Sequence, residues 1–297
     1  MDLTQPIGFI GAGNVGCSMG KYLKEHGFPI SGYYSRTKES ASAAARFTDS
    51  SCYSSLDELI SASNTLFIAT GDDMIRSIWD CIAETANPQQ KLHSKIICHF
   101  SGSLSSDVFP PLYGICPASV HPMLAFPDRF HSWHALSDAF FTVEGEETAV
   151  AYFSQMFQKT GNDISVISAD KKPLYHTAAS MISNHVTALL DIGLSLFMAC
   201  GFSKKDAYHA CTPLIRGNVE HVLSGDTMSA LTGPIERGDA DTVGKHLKSL
   251  DKETAKLYCL LGERQLRLAE KKHPQADFSA IKIMLETANN MKTGGSL

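Results

Sequence analysis

Gly11-Ala12-Gly13-Asn14-Val15-Gly16 follows the apolar run Ile7-Gly8-Phe9-Ile10 and precedes a helix-like stretch through Lys24. The spacing is G-x-G-x-x-G, and each glycine answers a steric demand. Gly11 permits a tight turn, Gly13 lets the backbone approach a pyrophosphate, and Gly16 lets the helix pack on the strand. Exposed N–H groups at that helix start, with the helix dipole behind them, favour a phosphate. The turn predicts a dinucleotide site held by Gly11, Ala12, Gly13, Asn14, Val15 and Gly16.

The next strand-like run, Ile30 to Tyr34, ends at Ser35-Arg36-Thr37-Lys38. An NAD site calls for Asp or Glu there, to accept from the ribose 2′-hydroxyl. Ser35 and Thr37 instead offer donors, and Arg36 offers a planar cation that pairs with a 2′-phosphate. The residues therefore point to NADP (NADPH); the alternative is that Arg36 and Lys38 are ordinary solvated charges.

Two histidines could handle protons. His121 ends the apolar run Ile115 to Val120, and Pro122 holds it extended. At a strand end it can serve as a general acid beside a reduced carbonyl or imine, or bond to local backbone. His176 opens a second pattern. Between Pro173 and Ser203 the only acidic or basic residue is Asp191, apart from histidines. There His176, Ser180, Asn184, Thr187 and Asp191 fall within about 80° of arc on a helix. Leu174, Ala178, Met181, Ile182, Leu189, Leu196 and Cys200 fill another side. This predicts one helix buried on both sides, its polar stripe facing a site or another buried surface. Farther on, Gly233-Pro234 forces a turn. It presents Arg237, which can hold a substrate carboxylate or form a structural salt bridge, and Asp239, a helix N-cap.

The elements that must position these residues alternate. Strand-like runs at 65–70, 95–100, 115–120, 140–143 and 164–167 alternate with helical periods at 56–60, 74–82 and 151–157. That rhythm predicts an α/β fold with a doubly wound parallel sheet over residues 1–170. Ligands of such sheets lie beyond the carboxyl ends of the strands. Thr70, Gly71, Asp72, Ser101 and Gly102 sit at those ends, as cofactor contacts or as turn residues. No strand-like run follows Asp170, so residues 171–297 are expected to form an all-helical second domain, with a frayed tail at 293–297.

With 297 residues, 43% apolar and 19% charged, the chain has material for two packed cores. A net charge of −5 without a basic stretch argues against nucleic-acid or acidic-membrane binding. None of the eight cysteines forms a C-x-x-C pair, which argues for reduced thiols and against a zinc ribbon. His131 and His134 form an H-x-x-H without an evident third ligand, so no metal site is expected. The first residues lack a basic signal-peptide region. Leu189 to Cys200 is too short, and interrupted by Asp191, to span a bilayer. A cytoplasmic protein is the expectation.

Taken together, several stretches resemble a Rossmann-like oxidoreductase family whose C-terminal helical domain has no assigned function. They are Gly11 to Gly16 with Ser35-Arg36-Thr37, His121-Pro122, Tyr175-His176 with Asn184, and Leu231-Thr232-Gly233-Pro234-Ile235 with Arg237-Gly238-Asp239. The chain is more distantly similar to ketopantoate reductases, pyrroline-5-carboxylate reductases and β-hydroxyacid dehydrogenases. The resemblance implies an NADP-binding domain, a helical domain that dimerises, and a small-molecule site in the cleft between the two. Ketopantoate reductases and β-hydroxyacid dehydrogenases use a lysine on the first helix of the second domain, with an asparagine about a turn later. Here His176 and Ser180 take that place, Asn184 lies a further turn on, and Lys171 and Lys172 are expected outside the helix. The resulting expectation is NADPH-dependent reduction of a small oxo acid such as ketopantoate. His121 or His176 would donate the proton, Asn184 orient the carbonyl, and Arg237 hold a carboxylate. A cyclic-imine reductase and a non-catalytic NADP-binding regulator are the alternatives.

Overall fold

Short apolar runs form the centre of an eight-stranded sheet in the computed structural model, which describes residues 2–85, 87–110 and 112–291. The strands are β1 (Ile7–Ile10), β2 (Ile30–Tyr34), β3 (Ser51–Cys52), β4 (Thr65–Ile68), β5 (Ile96–His99), β6 (Cys116–Pro122), β7 (Phe141–Gly145) and β8 (Ile164–Val166). Their order is β3-β2-β1-β4-β5-β6-β7-β8. From β3 to β6 every pairing is parallel. The four residues of β1, of β4 and of β5 are all buried, because both faces are covered.

The chain winds between the strands through α1 (Asn14–Glu25), α2 (Lys38–Thr48), α3 (Leu56–Ala62), α4 (Asp72–Ala83), α5 (Pro88–Leu92) and α6 (Glu147–Thr160). One face of the sheet stacks aromatic rings, with Phe67 on Phe9 at 5.2 Å and on Phe100 at 4.8 Å. The other face packs Ile10, Ile68 and Ile97 against Ile75 and Trp79 of α4. Neighbours such as Phe9 and Ile10 serve opposite cores because strand side chains alternate.

The sheet departs from the all-parallel expectation at one edge, where β7 runs antiparallel to β6 and β8 is parallel to β7. A parallel pair needs a crossover, usually an α-helix. The link between β6 and β7 holds only a 3₁₀ segment, Ser132–Asp138, so the chain turns back. β3 has two exposed residues and no apolar pattern to announce it.

After β8 comes α7 (Lys172–Ile182), followed by α8 (Asn184–Ala199), α9 (Lys204–Ser224), α10 (Ala240–Ser249), α11 (Lys252–Lys272) and α12 (Ser279–Met291). The chain divides into two compact units, Met1–Ser183 and Asn184–Leu297; α7 therefore belongs to the first. The second has its own core, with Ile235, Val243, Cys259, Ile281 and Leu285 buried together. Asp239 caps α10 by accepting from Thr242 N at 3.0 Å. The tail at 293–297 lies outside the described residues.

Two expectations for this region are corrected. The single helix over 173–203 is broken at Ser183, and its apolar side is not buried among the described residues: Leu174 is 70% exposed and Ile182 71%. Periodicity showed a face that wants cover but not what covers it. Lys172, expected outside the helix, is the first residue of α7 and is buried. Pro173 stands just inside the helix start, where its missing N–H costs nothing.

Candidate active site

The glycine turn has the geometry its spacing demanded. Gly11 has φ +105°, and a Cβ there would lie 2.5 Å from Ala69 O. A Cβ at Gly16 would lie 2.5 Å from Gly11 O, so only glycine lets α1 sit against the turn. Gly13 has open space where its side chain would be. It is the N-cap of α1, with no side-chain cap bond and no acidic residue in the first turn. Gly11 N donates to Tyr34 O at 2.8 Å, which ties the turn to the end of β2. Ser35 follows there, partly buried, and then Arg36 and Thr37, both exposed. Asn14 is engaged elsewhere: its Nδ2 donates to Phe126 O at 2.8 Å. Thr70, just past the end of β4, has a buried Oγ1 with no partner among the described residues.

A second constellation occupies the ends of β5 and β6. Asp72, at the start of α4, accepts from Ser101 Oγ at 2.6 Å and Ser103 Oγ at 2.9 Å. His99 holds the same turn from beneath. Its Nδ1 accepts from Ser101 N at 3.1 Å, which leaves the proton on Nε2 to donate to Ser105 O at 3.2 Å. Lys172 Nζ donates to Ser101 O at 2.8 Å and Ser119 Oγ at 2.6 Å. Glu144 of β7 accepts from Ser106 N at 2.7 Å and Oγ at 2.8 Å. The Ser101–Ser106 turn is thus clamped by side chains from α4, β5, β7 and α7.

His121 and His176 meet over this turn. A Cβ at Gly102 would lie 2.9 Å from His121 Nε2 and 2.5 Å from His176 Nδ1, so glycine is what admits both rings. Their centroids are 6.1 Å apart. His121 Nδ1 pairs with Tyr175 Oη at 2.6 Å, whereas His176 Nδ1 is buried without a partner among the described residues. Burial pushes His121 down to about 4, assisted by the charges of Lys172 and His176. Burial likewise brings His99 to about 4 and Lys172 to about 8, the latter against the opposing pull of Glu144 and Asp72. Tyr175 is raised by burial, against a hydrogen bond from Thr142.

The depressed histidines make stability depend on acid. Both fold as neutral rings whose values lie below the ordinary 6.5, so below that pH the unfolded chain binds more protons. Stability is therefore lost as pH falls from about 6.5 to about 4, by about 3 kcal/mol per ring. Melting temperature followed across this window should fall steeply in the wild type and about half as steeply in His99→Gln. An identical slope in both proteins would refute the assignment.

Of the expected site residues, the first unit brings together His121, His176, Asp72, Ser101 and Gly102, and sets Thr70 and the glycine turn along the same strand ends. Asn184 opens α8 in the second unit. Arg237 lies there too, exposed, beside Glu236, Asp277 and Phe278; the hydrogen bonds from Thr242 hold the Asp239 carboxyl below its ordinary value, and the Arg237 charge adds to this. Sequence reasoning gave no role to Lys172, Tyr175, His99 or Glu144. Pro173 was a usable signal that Lys172 starts a helix, and Tyr175 stood in the Tyr175-His176 pair of the resemblance; His99 and Glu144 carried none.

Residues 2–122 match the family description "Rossmann-like domain", and residues 139–265 match "Domain of unknown function (DUF2520)". No curated protein matches the chain. Among solved structures, a Bacteroides fragilis protein assigned as an NADP oxidoreductase is 22% identical. The match covers 89% of this chain and 98% of that one, with a TM-score of 0.69. A Thermotoga maritima protein is 21% identical over 90% and 99% of the two chains, with a TM-score of 0.72. Pyrroline carboxylate reductase of Plasmodium falciparum, solved with NADP bound, is 17% identical over 98% and 100%, with a TM-score of 0.58. At these identities the likeness is one of fold. The chain thus joins a Rossmann-like domain, residues 2–122, to the Domain of unknown function (DUF2520), residues 139–265.

Proposed function

We propose that the protein is an NADPH-dependent oxidoreductase that reduces a small oxo acid, ketopantoate or a close analogue, by hydride transfer. The observation that carries this reading is the convergence of His121 Nε2 and His176 Nδ1 on Gly102, at the carboxyl ends of β5 and β6. Strand ends of a sheet in this order are where such folds bind ligands.

The residues present fit a dinucleotide. The uncapped start of α1, the open space at Gly13 and the orphaned Thr70 Oγ1 are the features a phosphate and a ribose would satisfy. Gly11, Ala12, Gly13, Val15 and Gly16 would hold the phosphates, and Ser35, Arg36 and Thr37 the 2′-phosphate. Thr70, Gly71, Asp72, Ser101 and Gly102 would border the remainder. When bound, the nicotinamide supplies a hydride. The chain's own residues handle the proton. Because Thr142 donates to the Tyr175 hydroxyl, Tyr175 is assigned as the donor to His121 Nδ1, which places the His121 proton on Nε2, facing Gly102. A neutral ring in that state polarises a carbonyl oxygen as a hydrogen-bond donor. His176, with no competing partner on Nδ1, is assigned as the proton donor.

One observation favours a cyclic imine as a second reading. His121 is neutral at pH 7, and an imine that arrives protonated asks less of a protein acid. NADPH oxidation measured across a panel of small oxo acids and cyclic imines separates the readings. Turnover on an oxo acid supports the first and turnover on imines alone the second. Tight NADPH binding with no turnover would leave a cofactor-binding regulator.

We also propose a homodimer. The exposed apolar residues of α7, α8 and α9, Leu174, Ile182, Leu189, Leu214 and Leu223 among them, form faces left uncovered among the described residues. A strictly monomeric species in sedimentation equilibrium would contradict it.

A further inference from the structure

Lys172 is 1% exposed. An ammonium that deep is costly unless it is bonded and its charge offset. Here it donates to Ser101 O at 2.8 Å and Ser119 Oγ at 2.6 Å, and Ser119 Oγ donates onward to Ser101 O at 3.1 Å. One nitrogen thus joins the turn after β5, the strand β6 and the helix α7. Ser119 and His121 are two apart on β6 and share a face. Lys172 and Tyr175 are three apart on α7 and share a side of the helix. The pairs match: Lys172 meets Ser119 and Tyr175 meets His121. The first turn of α7 is stitched to β6 at two successive positions of one face.

The charged and titratable groups around this stitch come from every neighbouring element. Asp72 of α4 and Glu144 of β7 act on Lys172. Lys172 acts in turn on His99 of β5 and His121 of β6. Tyr175 and His176 of α7 and Thr142 of β7 complete the ring around His121. A methionine would fill the volume at lower desolvation cost. The lysine is therefore explained by its two bonds and its charge rather than by packing.

We infer that Lys172 is the positioning residue of the site: its buried ammonium ties the Ser101 turn, β6 and α7 together and sets a positive charge beside the His121 imidazole. The inference rests on the proposed function only in treating His121 as part of the reaction.

The test is NMR titration of the His121 ring in the full chain, with neither cofactor nor substrate added. In the wild type the ring titrates near 4, and its signals inflect again near pH 8 as Lys172 loses its proton. In Lys172→Met the His121 midpoint should rise by about one pH unit and the second inflection should vanish. In Ser119→Ala, which removes one bond and keeps the charge, both features should stay. An unchanged His121 midpoint in folded Lys172→Met overturns the inference. So does an equal rise in both variants, which would report loosened packing instead of lost charge. Should Lys172→Met fail to fold, the wild-type inflection near pH 8 decides, its presence in support and its absence against. A chain that reduces neither oxo acids nor imines would sink the proposed function and leave this result standing.

Discussion

His176→Ala is expected to lower the rate of NADPH-dependent reduction by about 10²–10⁴-fold, the usual cost of losing a general acid. NADPH affinity and melting temperature should stay close to wild type. The separation follows from the hydrogen-bond inventory. His176 Nδ1 is buried and unpartnered among the described residues, so truncating the ring strands no polar partner at that nitrogen. Burying an unsatisfied group costs about 1–3 kcal/mol, and the variant removes that cost along with the ring's packing. His121→Ala makes the contrast, because it leaves the Tyr175 hydroxyl without its 2.6 Å partner. That variant should lose both turnover and thermal stability. Turnover, cofactor affinity and melting temperature on the two proteins decide between them. A His176→Ala enzyme with full turnover on the true substrate would remove His176 from the reaction and leave His121 as the remaining candidate.

Arg36→Ala should weaken NADPH binding by about 10- to 100-fold and leave NADH binding nearly unchanged. A hydrogen bond to a charged group contributes about 1.5–3 kcal/mol, which converts to that range of affinity. The placement supports the expectation. Gly11 N bonds to Tyr34 O at 2.8 Å, so the end of β2 is held against the glycine turn, and Arg36 stands exposed two residues beyond. The nearest carboxylate in sequence, Glu39, lies within the first turn of α2 and not at the strand end. Titration of both proteins with both cofactors, at low and high salt, measures the effect. The NADPH preference should shrink as salt rises, because a surface ion pair is screened. Equal affinities of the wild type for NADH and NADPH would overturn the reading of Ser35-Arg36-Thr37.

The glycine turn was legible because its constraints are local. The +105° φ of Gly11 and the close approach of Gly16 to Gly11 O arise within one strand, one turn and one helix. The parallel sheet was legible for a similar reason: runs such as Ile7–Ile10 and residues 66–68 carry no charged or polar side chain and are separated by helical periods. The reversal of β7 was only half-hidden, since the stretch before it carries no helical period from which to build a crossover.

The chemistry beyond β5 and β6 was a different matter. His121 and His176 could each be singled out by position or pattern, but nothing in the sequence said they would meet over Gly102. Their meeting depends on contacts between residues far apart along the chain: 54 positions separate His121 from Tyr175, and 71 separate Lys172 from Ser101. Lys172 looked like a surface charge before a proline, and only tertiary packing shows it as a buried cation. The apolar side of α7 and α8 marks the opposite limit, a pattern plain in the sequence whose partner is not among the described residues. Steric rules and hydrophobic period act over one turn or one strand, so the sequence by itself determined the glycine turn, the strand runs and the apolar helical faces. Which distant side chains share a site is settled by how the whole sheet and its covering helices pack, and that only the tertiary structure decided.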